Sequence, residues 1–242
     1  RDKKKLFETV KKYEPEFVFH LAAQSLVRDS YENPLDTFEI NVLGTANMLE
    51  VLRSSSSVKV ALIMTSDKCY DNKISDQPHV EDDPMGGIDP YSASKGAAEL
   101  ITSSYKNSFF DTNNHKLSVS TIRAGNILGG GDWAKDRIIP DSINAVSENH
   151  NIKIRNPDSV RPWQYVLEPI SGMLWLARKM HSNQKEFNQS WNFGPNPEQK
   201  FLTVKEIAGY VLVAHDTKLK IDFPNNSNEP FESKKLMIDS SK

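Results

Sequence analysis

Three apolar runs of strand length are spaced by stretches of helix length: "FVFHLAA" from Phe17 to Ala23, the segment Val58 to Thr65, and "LSVSTIRAG" from Leu117 to Gly125. The middle run, which leads into "ALIMTSDKCYDN", is apolar without alternation, as a central strand covered on both faces must be. The intervening segments supply helices. Leu35, Phe38, Val42, Ala46, Leu49 and Leu52 recur every three to four residues, which predicts an amphipathic helix over Leu35 to Arg53, opened by Asn33 and Pro34. Asp89 as a cap and Pro90 at the first helical position launch a second helix, about Pro90 to Asn107. Strand and helix in alternation, with crossovers this long, predict a parallel sheet with right-handed connections: an α/β chain with a doubly wound, Rossmann-like sheet.

Beyond Gly125 the pattern changes to connections rich in Gly, Pro and Asn, "GNILGGGDW", "RNPDSVRPW", "FGPNPEQ" and "FPNNSNEP". These read as loops of a smaller substrate-binding lobe. The chain has 242 residues, 38% of them hydrophobic, enough for a sizeable core. A formal net charge of −2 gives no footing for nucleic acid or an anionic membrane as the main partner, so the partner is expected to be small. Cys69 is the single cysteine, which rules out an internal disulfide, and no apolar run approaches the roughly 18 residues of a membrane span; a reducing cytoplasm fits best. The opening "RDKKKLFETVKKYEPE" lacks the apolar region of a signal peptide and reads as a helix entered midway, while "KLMIDSSK" reads as a strand running into a cap. Truncation is expected at both ends.

Ligands in open α/β sheets sit beyond the carboxyl ends of the strands, where Thr65 to Lys68 fall. Tyr91 and Lys95 lie four apart in the second helix and share one face. A phenol beside an ammonium favours its ionised form and can act as a base toward an alcohol. His20, mid-strand, reads as a packed histidine, and no other histidine or carboxylate completes a metal site. Cys69 reads as a small packing residue.

The sequence Tyr91-Ser92-Ala93-Ser94-Lys95, with "HLAAQ" upstream and "NVLGT" in the first helix, resembles the extended short-chain dehydrogenase/reductase family over nearly the whole chain. The resemblance implies NAD as cofactor, Tyr91 as base, Lys95 lowering the tyrosine pKa and holding the nicotinamide ribose, Ser66 at the reacting hydroxyl, and Asn41 supporting a proton relay. It places Leu21, Ala22, Ala23 and Thr65, with Tyr91 and Lys95, against the cofactor. The blocks "AAQSLVRDSY", "TSDKCYDN", "AGNILGGGDWAKDRIIPD" and "RPWQYVLEP" are similar to nucleoside-diphosphate-sugar 4,6-dehydratases, and among them to the branch that takes CDP-glucose. That similarity implies that Asp67 protonates the departing C6 hydroxyl, and that Lys68 stands where many such enzymes carry a glutamate as the C5 base. A lysine serves as base only when its pKa is lowered substantially, so the C5 base stays open. Asn126 and Arg161 match positions that contact the nucleotide sugar, Arg161 toward the diphosphate, where a guanidinium binds in bidentate fashion.

The family's N-terminal strand, glycine-rich turn and helix are absent, and no G-x-G-x-x-G occurs; "GGGDW" follows a strand without a clear helix behind it. The expected division is a cofactor-binding core over 1–124, completed by 161–193, and a nucleotide-sugar region over 125–160 and 194–242. Helices 35–53 and 90–107 are expected to pair with their mates in a homodimer. Two other readings stay open: another 4,6-dehydratase or a 4-epimerase, which would share Tyr91 and Lys95 but needs no acid at C6, and a nucleotide-binding module without catalysis.

Overall fold

The computed structural model describes residues 1–71, 77–111, 117–196, 198, 200–224 and 231–242. Most of the "FPNNSNEP" loop, residues 225–230, lies outside them. Helix α1 (Lys3–Tyr13) opens on a cap within the chain, since the Asp2 side chain accepts from the Lys5 amide, and it closes on Glu14 in the left-handed region at φ 44°. Strand β1 (Phe17–His20) follows, shorter than the apolar run because the chain turns out toward solvent at Leu21.

After α2 (Val27–Glu32), the helix expected over 35–53 forms as one run with a π-helical turn inside it: α3 (Pro34–Phe38), the π turn (Glu39–Leu43) and α4 (Gly44–Arg53). Strand β2 (Val60–Met64) leads into a 3₁₀ turn, Asp67–Cys69. Helix α5 (Pro90–Tyr105) begins where its signals place it: Asp89 accepts from the Ser92 amide at 2.9 Å and the Ser92 hydroxyl at 2.5 Å. It runs past the expected end through a second π turn, Lys106–Phe110, which buries Phe110 against the sheet.

Strand β3 (Ser118–Ala124) completes the central trio. After it come β4 (Ile127–Leu128), α6 (Ile138–Ser147), β5 (Ile152–Lys153), β6 (Gln164–Tyr165), α7 (Leu167–Ser182), α8 (Gln184–Phe187), β7 (Trp191–Phe193), α9 (Val204–Ala214) and β8 (Ile221–Asp222). A helix therefore does stand behind the glycine cluster, beginning at Ile138. "KLMIDSSK" forms no strand; Lys235 and Ile238 make isolated bridges to Val160 and His79.

The main sheet is parallel throughout, in the order β1-β2-β3-β7. Its two faces follow from the period of two along each strand. Ala61, Ile63 and Val119 pack under α1, α4 and α5 with Leu49, Leu52 and Phe110, whereas Val60, Leu62 and Ile122 pack under α7 with Met173, Leu176 and Met180. Helices on both faces make the sheet doubly wound. A smaller cluster, Ile152, Ile154 and Ala208, joins α6 and α9 to the β5–β8 pair beside the carboxyl edge of the sheet.

Each fully buried aliphatic of β2 stabilises the fold by roughly 1.5–3 kcal/mol relative to leaving it exposed. Leu62 has no exposed surface and is enclosed from both sides of its face. Leu62→Ala is expected to lower unfolding free energy by about 2–5 kcal/mol in urea denaturation, with an unchanged m-value.

Candidate active site

All strand ends of the parallel sheet point to one edge, and a cleft of about 410 Å³ opens there. Ser66, Asp67, Lys68, Tyr91 and Lys95 line it together. Ser66 leaves β2 with an extended backbone and caps the 3₁₀ turn by accepting from the Lys68 amide at 3.2 Å. Its hydroxyl donates to Asp67 Oδ1 at 3.0 Å and also engages the Tyr91 phenol. The other Asp67 oxygen, Oδ2, is buried with no hydrogen-bond partner among the described residues. Gly125 is what allows this placement, because a Cβ there would stand 2.2 Å from Oδ2.

Burial pushes the Tyr91 phenol up to about 12, the Ser66 hydrogen bond pulls it back, and Asp67 adds to the rise. The Lys95 Nζ stands over the Tyr91 ring, 5.9 Å from its centre. Burial brings Lys95 itself down to about 8. The Lys95 ammonium has three donors, yet among the described residues it donates only to the Met64 carbonyl, at 3.4 Å. A buried cation so thinly satisfied on a cleft wall has donors to spare for ligand hydroxyls. Leu21 and Ala23 line the same cleft, whereas Ala22 is exposed outside it. Thr65 borders the cleft, but its hydroxyl turns into the protein, toward Glu99 Oε1 at 2.5 Å.

Asn41 sits in the first π turn, a feature often found at functional positions. Its amide nitrogen donates to Ser94 Oγ and the Gln24 carbonyl, both at 2.9 Å, and its oxygen accepts from the Gln24 amide. Asn41 thus reaches α5 through Ser94, whose hydroxyl donates to the Tyr91 carbonyl at 2.7 Å.

Toward the smaller lobe, Asn126 lines the cleft in the left-handed region at φ 34°, which asparagine tolerates better than most residues. Arg161 is buried, donating to the carbonyls of Val160 and Lys234 and pairing with Glu232 Oε1 at 3.1 Å. Lys68 belongs to the same group: burial, then Arg161, lowers its pKa, against the pull of Glu232 and Asp67. Burial disfavours the Glu232 carboxylate, but Lys68 and Arg161 hold its pKa below the usual range. Glu232 was not foreseen from sequence, since it lies far along the chain in an irregular segment. Arg28, Arg137 and Arg155 also border the cleft, with Asp132 and Asp136 as partners.

His20, at the end of β1, is buried against the Thr45 hydroxyl at 3.4 Å, the packed role expected of it. Cys69 is fully buried, as a packing residue would be. The described cleft therefore gathers a phenol, a hydroxyl, a carboxylate and two lysines at the sheet edge, and an arginine–glutamate pair on the lobe side.

A fold of this kind with these groups at its edge has known counterparts. The family model described as GDP-mannose 4,6 dehydratase matches residues 1–242, and the chain belongs to that family. Among curated relatives, it is similar to the CDP-glucose 4,6-dehydratase of Salmonella typhimurium, 44% identical, covering 100% of this chain and 68% of that protein. In fold it is similar to the UDP-glucose 4-epimerase of Thermus thermophilus in complex with NAD, at TM-score 0.83 and 21% identity, over 99% of this chain and 74% of that one. The dTDP-glucose 4,6-dehydratase of Streptomyces venezuelae, solved with NAD, superposes at TM-score 0.80 and 19% identity, over 99% of this chain and 68% of that one.

Burial, with Lys95 as the second cause, brings the His20 imidazole down from 6.5 to about 4. The unfolded chain therefore binds a proton between those values that the folded protein refuses, and stability falls as pH drops through that window. Urea denaturation is expected to show about 2 kcal/mol lost between pH 7 and pH 5 through this residue, and His20→Gln should remove that component of the slope.

Proposed function

We propose that the protein converts CDP-glucose to CDP-4-dehydro-6-deoxyglucose, with NAD as a cofactor regenerated in every turnover. The reading is carried by the convergence of Ser66, Asp67, Lys68, Tyr91 and Lys95 on one cleft in a chain 44% identical to a CDP-glucose 4,6-dehydratase. When bound, NAD would supply the hydride acceptor for sugar C4 and the hydride donor for C6. The under-satisfied Lys95 ammonium fits the nicotinamide ribose hydroxyls, and Leu21, Ala23 and Thr65 fit the cofactor side of the cleft.

Tyr91 takes the C4 hydroxyl proton, and Ser66 holds that hydroxyl in place. With the phenol at about 12 little phenolate exists near neutrality, so this step needs that pKa lowered by positive charge beside Tyr91. The ketone at C4 acidifies the C5 proton, and Asp67, through its unpartnered Oδ2, donates a proton to the departing C6 hydroxyl. Lys68, lowered by burial and by Arg161, takes the place of the C5 base. Asn41 supports the relay by holding α5 through Ser94. Arg161 turns from Glu232 to the diphosphate, and Asn126 contacts the nucleotide sugar. Residues 1–124 with 161–193 serve as the cofactor-binding core, and 125–160 with 194–242 as the nucleotide-sugar region.

The protein acts as a homodimer in a reducing cytoplasm. Supporting the dimer, Leu35, Leu43 and Leu100 stand more than half exposed on the two long helical segments, at 73%, 56% and 62%. A second copy laid on that face would cover them. Light scattering at micromolar concentration is expected to give twice the monomer mass, and a monomer rejects the assignment. Among the described residues no helix is long and apolar enough to cross a membrane.

Assayed with CDP-, dTDP-, UDP- and GDP-sugars, the intact protein is expected to form most product from CDP-glucose; preference for another nucleotide overturns the specificity. In single turnover, Tyr91→Phe should leave no NADH, whereas Asp67→Asn should still form NADH and a 4-keto sugar and stall before water leaves, because an amide cannot supply the proton. Absorbance of the reduced cofactor with mass analysis of the sugar separates the two. Equal loss of NADH in both variants would remove Asp67 from the elimination step.

A further inference from the structure

One turn beyond Lys95 on the same stripe of α5 lies Glu99, buried at 5% exposure. Its Oε1 accepts from Thr65 Oγ1 at 2.5 Å. Its Oε2 accepts from Thr121 Oγ1 and from Arg123 Nη2, both at 2.8 Å. Arg123, buried to the same degree, reaches onward to the Tyr70 hydroxyl at 2.8 Å and the Glu81 carbonyl at 2.7 Å. Although burial works against its charge, Glu99 holds the guanidinium pKa above its ordinary value.

Replacing a buried ion pair of this kind by apolar side chains is often neutral or stabilising, so the needs of the fold alone do not explain it. Its position does. The end of β2 receives α5 twice in succession: the Met64 carbonyl takes Lys95, and the Thr65 hydroxyl takes Glu99. Ser66 and Asp67 come next in the chain. The contact that seats Glu99 therefore sets how Tyr91 and Lys95 register against those two side chains.

We propose that Glu99 is a positioning residue for Lys95: its carboxylate, clamped by Thr65, Thr121 and Arg123 beneath the helix, fixes the Tyr91–Lys95 pair over the strand ends and sets a negative charge one helical turn from the buried ammonium. Charged and titratable groups face Lys95 from several elements. From its own helix come Tyr91 and Glu99, from the turn after β2 Asp67 and Cys69, from β1 His20, and behind Glu99 stands Arg123 of β3. The buried Cys69 thiol is pushed well above its usual range, and His20 is held near 4, so both are neutral at working pH. Burial draws Lys95 down, and Glu99 is the carboxylate that acts against that draw.

The inference rests on Tyr91 and Lys95 being the oxidising pair, and the test keeps the two apart. Glu99→Gln and the double variant Glu99→Gln/Arg123→Met are compared with the unmodified intact protein. The double variant removes both buried charges and keeps the test open should the single variant fail to fold. Two readouts are followed across pH: the rate of NADH formation in single turnover with CDP-glucose, and trace acetylation of Lys95 by acetic anhydride, quantified by peptide mass spectrometry. The acetylation midpoint and the alkaline limb of NADH formation are expected to move to lower pH by about one unit, a tenfold change in the proton-binding constant. If the unmodified protein forms no NADH with any nucleotide sugar, the functional reading fails, and the acetylation midpoint alone still decides the role of Glu99. Midpoints that coincide in the folded double variant and the unmodified protein overturn the proposal. So does loss of the folded state in the double variant, which would make Glu99 a part of the architecture alone.

Discussion

The parallel ladder between β2 and β3, Val60 opposite Ser118 through Met64 opposite Ile122, sets the position of nearly everything else. Its residues alternate between two covered faces, and the alternation decides which helix meets which side chain. Ala61, Ile63 and Val119 take the face of α4 and α5. Along that same face the apolar residues give way, toward the carboxyl end, to Thr65, Thr121 and Arg123, all directed at Glu99. The polar network is thus a continuation of the core in the same register, and it ends where the cleft begins. A slip of one residue in either strand would turn Thr65 and Arg123 to the α7 side and bury their polar groups among Met173, Leu176 and Met180.

Much of the fold was legible because it rests on local signals. The apolar runs at 17–23, 58–65 and 117–125 each contain a strand, and the Asp89–Pro90 pair marks the first turn of α5 to the residue. The misreadings share one physical cause, tertiary packing overriding local pattern. Two π turns, at Glu39–Leu43 and Lys106–Phe110, keep the apolar spacing of a plain helix while inserting extra backbone, so periodicity does not register them. "KLMIDSSK" has strand composition but finds only single bridges to Val160 and His79.

The candidate site divides in the same way. Ser66, Asp67, Lys68, Tyr91 and Lys95 are close in sequence to the sheet edge, and the parallel order brings them together. Glu99 could have been found from the stripe Tyr91, Lys95, Glu99, three residues at helical spacing, with the acid falling where an apolar residue would suit a buried face. Glu232 carried no such signal; its pairing with Arg161 spans 71 residues of chain, and its influence on Lys68 arises across a longer separation still. The elevated Tyr91 pKa was equally out of reach, since it depends first on burial by the whole cleft wall.

The π turn that holds Asn41 bears on what lengths of chain the protein can tolerate. Glu39–Leu43 carries one residue more than an α-helical path would use over the same rise. Removing any one residue there would restore regular winding and leave the apolar repeat nearly intact. It would also rotate α3, and the Asp29–Asn33 turn that leads into it, by about 100° relative to α4. Asn41 would then swing off Ser94, and the link between the two long helical segments would be lost with no change in hydrophobic content. The Asn41–Ser94 link thus fixes the spacing between Pro34 and Gly44 more strictly than the apolar pattern does, a constraint of counting rather than of composition.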